Sequence, residues 1–141
     1  MLKAAIIGFG GIANAHKNGY TKLEAEGKVK LVAVCDISKE AFEKKVKINI
    51  DSGDSTQAVL FNCYTDLEEM LANEELDFVD ICTPSCLHRE LSVKMLEKGY
   101  NVLCEKPMAL TSADCEAMLE AEKKSGKHFM IAQCLRFFPE Y

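Results

Sequence analysis

The sequence predicts an α/β domain, a doubly wound fold in which one six-stranded parallel sheet carries helices on both faces. Three observations lead there. Short β-branched runs alternate with helix-period segments from end to end, the pattern of strands joined by crossover helices. The first run passes straight into a glycine-rich turn, Gly8-Phe9-Gly10-Gly11-Ile12-Ala13. The second, Val29 to Cys35, is almost continuously apolar, as strands buried on both faces are, and ends on Asp36. A length of 141 residues suits one such core.

Each element has its own signal. Leu2 to Ile7 reads as the first strand. A helix follows from Gly11 to about Glu26, with Ile12, His16 and Leu23 on its inner face and Gly27 closing it. After the second strand, Ser38 can cap a helix running through Lys39 to Lys47. The polar stretch Asn49 to Gln57 reads as a loop, and Phe61 to Tyr64 as a short third strand. Asp66 with Glu69 makes a capping-box-like start for a helix burying Leu67, Met70 and Leu71. Phe78 to Thr83 is the fourth strand, followed by a helix from about Cys86 to Lys98 with Leu87, Leu91 and Met95 on one stripe. Asn101 to Cys104 is the fifth. Thr111 opens a helix burying Cys115, Met118, Leu119 and the stem of Glu122, and His128 to Ala132 is the sixth strand. The expected domain is thus residues 1–132, with 133–141 beginning a connection to a further domain.

Composition narrows the functional classes. A net charge of −5 with scattered basic residues argues against a nucleic-acid partner. No apolar run is long enough to span a bilayer, and the start is too short for a signal peptide, so no membrane association is expected. None of the seven cysteines is spaced Cys-x-x-Cys. Cys35, Cys82, Cys104 and Cys134 lie in or beside strand-type runs and read as small buried hydrophobes of a reduced, cytoplasmic protein, with no metal site.

The glycine turn carries the chemistry. Gly8 permits a tight turn, Gly10 lets backbone approach a pyrophosphate, and Ala13 is small enough for close helix–strand packing. The phosphates would rest on free N–H groups of Gly11 and Ile12 at a helix N-terminus. Asp36 stands where such Rossmann units place an acid for the adenosine ribose hydroxyls. Its charge would repel a 2′-phosphate, and the next residue is Ile37, not arginine, which favours NAD over NADP. The alternative for Asp36 is a strand-end residue capping the helix near Ser38.

Three further segments, Ile81-Cys82-Thr83-Pro84-Ser85-Cys86-Leu87-His88, Cys104-Glu105-Lys106-Pro107 and Arg136-Phe137-x-Pro139, follow the fourth, fifth and sixth strands. With the glycine turn, they make the chain resemble the N-terminal domain of the Gfo/Idh/MocA oxidoreductases, the glucose–fructose oxidoreductase and inositol dehydrogenase group. The resemblance implies that Thr83 and Pro84 line the nicotinamide half of the cofactor. His88 could point to the same crevice, its alternative being a surface histidine. Glu105 would contact the nicotinamide ribose. Lys106 would be the catalytic residue beside the reacting carbon, hydrogen-bonding a substrate hydroxyl. Pro107 often follows a cis bond in the family. Arg136 would lie near the cofactor, or else be a surface arginine, and His16 is assigned to packing and polar satisfaction.

The implied activity is hydride transfer to or from a secondary hydroxyl of a sugar, cyclitol or related polyol. Family enzymes continue into a substrate domain at about the point where this sequence ends, so the chain alone is expected to lack turnover. Phe137, Phe138 and Tyr141 are expected on an exposed apolar face that favours a homo-oligomer. The competing reading is a stand-alone NAD-binding sensor.

Overall fold

The computed structural model describes residues 1–43 and 60–140. Among these residues, six strands, β1 (Leu2–Ile7), β2 (Val29–Cys35), β3 (Asn62–Tyr64), β4 (Phe78–Ile81), β5 (Asn101–Glu105) and β6 (Phe129–Ala132), form one sheet. All neighbours are parallel, in the order β3-β2-β1-β4-β5-β6. Among the described residues, five α-helices join them: α1 (Gly11–Ala25), α2 (Glu40–Glu43), α3 (Leu67–Asn73), α4 (His88–Glu97) and α5 (Ser112–Ser125). The chain starts in the middle of the sheet, moves outward through β2 and β3, then returns to pair β4 with β1. That reversal opens a crevice at the carboxyl ends of β1 and β4.

The two-residue period of the strands divides the core between the two faces. Ala4 and Ile6 of β1 join Ala13, Tyr20, Leu31 and Val34 under α1. Ala5 and Ile7 join Val79, Ile81, Val102 and Cys104 on the other face, beneath Met70 of α3, Met95 and Leu96 of α4 and Met118 of α5. Each fully buried aliphatic side chain contributes about 1.5–3 kcal/mol. The expected caps form: Asp66 accepts from Glu69 N at 2.8 Å, and Thr111 Oγ1 accepts from Asp114 N at 3.1 Å. Gly126 ends α5 in the left-handed region at φ 66°.

Several faces differ from the sequence reading. Ile12 is exposed, and α1 instead buries Ala13, Tyr20 and Thr21. A 3-10 turn, Ser85–Leu87, precedes α4. This rotates the buried stripe to His88, Ser92, Met95 and Leu96 and leaves Leu87 exposed. In α5, Ala121 is buried three residues beyond Met118, while Leu119, one position round the helix, faces solvent. β4 stops at Ile81, ahead of the Thr83-Pro84 turn, and β5 extends to Glu105. Cys35, Cys82 and Cys104 are buried, but Cys134 is exposed, because it lies beyond β6 in a 3-10 turn, Cys134–Phe137.

The expected helical residues up to Lys47 and the loop Asn49 to Gln57 fall mainly outside the described residues, as does Tyr141. Phe137 and Phe138 are exposed. Met130 of β6 is also half-exposed, while its neighbours Phe129 and Ile131 pack on the α5 side. Among the described residues, no helix is long and apolar enough to cross a membrane.

Candidate functional site

The turn between β1 and α1 is built by glycine. Gly8 has φ +86°, and a Cβ there would stand 2.8 Å from Thr83 Cγ2 and 2.9 Å from the Cys82 carbonyl carbon and oxygen. Its N–H donates to Cys35 O at 2.8 Å. The turn is therefore pressed onto the loop after β4 and tied to the end of β2. Phe9 points inward, with its ring 5.7 Å from that of Phe61 and 6.2 Å from that of Phe42.

Gly10 is the opposite case. It is exposed, and a Cβ on it would meet nothing within 4 Å. It caps α1 with no side-chain hydrogen bond, and no acidic residue occupies the first turn. The leading N–H groups of α1, including those of the exposed Gly11 and Ile12, are thus open to an acceptor, with the positive end of the helix dipole behind them.

Asp36 sits beside this turn at the end of β2. Its Oδ2 accepts from Phe9 N at 2.7 Å and its Oδ1 from Ser38 N at 2.9 Å. The carboxylate therefore holds the glycine turn as well as turning the chain toward α2. Each oxygen keeps a lone pair. Ile37, next to it, is almost fully exposed.

The loops after β4 and β5 are joined by His88, and here the sequence reading needs correction. His88 is neither a crevice residue nor a surface histidine: it is 1% exposed. Its ring nitrogens lie 2.8 Å from Pro107 O and 2.9 Å from Thr83 O. The 3-10 turn carries the side chain beneath both loops, where it faces backbone carbonyls and leaves no ring nitrogen for a ligand. The Lys106–Pro107 peptide is cis. Thr83 Oγ1 is buried without a hydrogen-bond partner among the described residues, while Pro84 and Lys106 are exposed at the rim. Arg136 is exposed in the turn beyond β6.

Beneath the rim lies a polar cluster that the sequence reading did not assemble. Alternation along β4 and β5 turns Asp80, Cys82 and Glu105 toward α1. His16 reaches in from α1, its Nδ1 2.7 Å from Asp80 Oδ2 and its Nε2 3.0 Å from Glu105 Oε1. Tyr20 donates to Asp80 Oδ2 at 2.7 Å, and Lys106 N donates to Glu105 Oε2 at 2.9 Å. Burial alone would lower the His16 pKa, but the hydrogen bonds and charges of Asp80 and Glu105 outweigh it and raise the value above the usual 6.5. Burial and Asp80 push the Tyr20 hydroxyl and Cys82 thiol well up.

His16, Asp80 and Cys82 bring ligand-type atoms within 4.8 Å of one another. The 2.7 Å His16–Asp80 separation is nonetheless a hydrogen bond, shorter than the roughly 3.3 Å between two ligands of one tetrahedral ion. The signal for this cluster was a charged residue, Asp80, inside the apolar run Phe78-Val79-Asp80-Ile81.

The sheet thus gathers Gly8, Gly10, Gly11, Ile12, Asp36, Thr83, Pro84, Glu105 and Lys106 at the carboxyl ends of β1, β2, β4 and β5, with Arg136 beyond β6. Known proteins are similar to this chain in sequence and in fold. A D-apiose dehydrogenase from Paraburkholderia graminis is 32% identical over 138 residues, 97% of this chain and 33% of that protein. The scyllo-inositol 2-dehydrogenase (NADP(+)) IolU of Bacillus subtilis is 38% identical over 80 residues, 57% of this chain and 24% of that one. The WlbA dehydrogenase from Chromobacterium violaceum, solved with NADH and UDP-GlcNAcA, superposes with a TM-score of 0.77 at 31% identity, covering 94% of this chain and 35% of that one. The chain spans 33% and 24% of the length of these two curated relatives. The model of the Gfo/Idh/MocA group, an oxidoreductase family with an NAD-binding Rossmann fold, matches residues 2–133. With the glycine turn, the strand order and that match in agreement, this chain belongs to the Gfo/Idh/MocA oxidoreductase family and forms its NAD-binding Rossmann fold.

Proposed function

We propose that the chain holds NAD along the carboxyl edge of the sheet, as the cofactor half of a dehydrogenase acting on a secondary hydroxyl of a sugar, cyclitol or related polyol. The observation that carries this is the uncapped N-terminus of α1 behind Gly10, where among the described residues an added Cβ would meet nothing within 4 Å beyond its chain neighbours. A pyrophosphate needs such open ground with N–H groups facing it. Thr83 Oγ1, buried without a partner among the described residues, supplies a further polar atom beside the same turn. When bound, the nicotinamide ring accepts or supplies a hydride.

The chain's own residues orient and charge the site. Asp36 accepts from the adenosine ribose with the lone pairs left after Phe9 and Ser38, and its negative charge disfavours a 2′-phosphate. Thr83 and Pro84 wall the nicotinamide half, and Glu105 accepts from the second ribose. Arg136 lies toward the cofactor from beyond β6. Lys106, exposed at the end of β5, hydrogen-bonds the substrate hydroxyl and stabilises negative charge developing on its oxygen. Residues 1–132 form the cofactor domain, and the chain from 133 leads toward a substrate domain.

Titration of the 141-residue chain with NADH and NADPH, followed by nicotinamide fluorescence, tests the reading. NADH should bind more tightly. Asp36→Ala should weaken it by about 1–3 kcal/mol, the worth of charge-assisted hydrogen bonds. Equal affinity for the two cofactors would remove the role given to Asp36, and no binding of either would sink the proposal.

A further inference from the structure

We propose that His16 is a positioning residue of the dinucleotide site: its ring clamps Glu105 to Asp80 and fixes the carboxylate offered to the nicotinamide ribose. This rests on the dinucleotide reading above and deepens it, since nothing in that reading gives His16 a part. The geometry carries the inference. Glu105 is the last residue of β5, paired with Ala132 of β6 but beyond the register with β4, so its side chain is fixed by its own hydrogen bonds. Its Oε2 is taken by Lys106 N, on its own loop. Its Oε1 is tied across the sheet by His16 Nε2 at 3.0 Å. The other side of the ring is anchored by Asp80, fully buried at the centre of the sheet and shared with the Tyr20 hydroxyl.

An imidazole between two carboxylate oxygens donates to both only when both ring nitrogens carry protons. Losing one proton leaves a single donor, and the shorter contact, to Asp80 at 2.7 Å, keeps it. The Glu105 contact is the one released. The groups facing His16 are Tyr20 on α1, Asp80 on β4, Cys82 just beyond β4, and Glu105 at the end of β5. Burial, with the charge of Asp80, holds Tyr20 and Cys82 protonated through the neutral range. The two carboxylates hold the His16 titration above its ordinary 6.5. The clamp is therefore closed on the acid side of that titration and opens as pH rises through it.

The test is NADH affinity of the full chain from about pH 6 to about pH 9, with the His16 ring titrated by NMR in parallel. Wild-type affinity should fall by about tenfold as His16 loses its proton, the worth of one charge-assisted hydrogen bond. His16→Gln should bind weakly at the acid end and show no such fall. Glu105→Gln should move the His16 titration downward, a readout that needs no cofactor. NADH binding with a flat wild-type profile, or an unmoved His16 titration in Glu105→Gln, would overturn the clamp and leave the dinucleotide reading standing. Absence of NADH binding at every pH would overturn both.

Discussion

Gly8 and Gly10 lie two positions apart in one turn, yet alanine should act on them through different physics. At Gly8 the backbone sits at φ +86°, which costs an L-residue about 1–2 kcal/mol. The added methyl would also stand 2.9 Å from the Cys82 carbonyl, which is backbone and cannot swing aside. Forcing a methyl into a packed region costs about 1–3 kcal/mol. Together these give about 2–5 kcal/mol, which for a domain of this size lowers Tm by roughly 6–15 °C. At Gly10 the backbone is extended, with φ −83° and ψ −160°, and the methyl meets nothing. Alanine caps a helix less well than glycine, by up to about 1 kcal/mol. It also reduces unfolded-state entropy by about 0.4–1 kcal/mol, so the two nearly cancel. That methyl would nevertheless occupy the approach to the α1 N–H groups and should weaken NADH by about 2 kcal/mol or more. Thermal melts and NADH titrations of both variants separate the cases. If Gly8→Ala melts with the wild type, the contact with Cys82 is wrong. If Gly10→Ala binds NADH normally, the pyrophosphate does not lie there.

Two further outcomes follow from the loops around β4 and β5. His88→Ala should destabilise the fold by about 2–4 kcal/mol in urea denaturation, because it opens a cavity and removes the buried ring that lies between the Thr83 and Pro107 carbonyls. An unchanged midpoint would show that the ring does not join the loops. Lys106→Ala, introduced into an active enzyme containing this domain, should lower kcat by about 100-fold while leaving NAD affinity within a few-fold. Turnover preserved within a few-fold would remove the lysine from the chemistry.

The glycine turn was legible from sequence because its demands are local: a left-handed φ at Gly8 and open space at Gly10 are properties of a few consecutive residues. The doubly wound parallel sheet was legible for a related reason, since strands alternating with crossover helices leave few topologies. The role of His88 was not. Its burial is created by Pro107, 19 residues later, folding back over the 3-10 turn. Nor was the His16 cluster, whose members lie 64 and 89 residues apart along the chain. Sequence periodicity set His16 on the inner face of α1, but only the register of β4 and β5 determines that Asp80 and Glu105 meet it. Leu119 misled because a helical stripe read from apolar residues alone takes in any leucine at its edge, whereas the sheet below admits only Met118 and Ala121.

These long-range contacts share a consequence. Gly8 presses on Cys82 and Thr83, Asp36 holds Phe9 in the glycine turn, His88 faces both Thr83 and Pro107, and His16 ties Glu105 to the centre of the sheet. The loops after β1, β2, β4 and β5 are thereby fastened to one another by the chain's own hydrogen bonds. Asp36 and Glu105, the acceptors assigned to the two riboses, are each held by two donors before any ligand arrives. A side chain immobilised on binding costs about 0.5–1.5 kcal/mol, and for these two carboxylates folding has already met that cost. On the proposed reading, the dinucleotide site is thus pre-organised on the acceptor side. Lys106 is tied through its backbone N–H, but its side chain is exposed, which suits the substrate-facing part proposed for it.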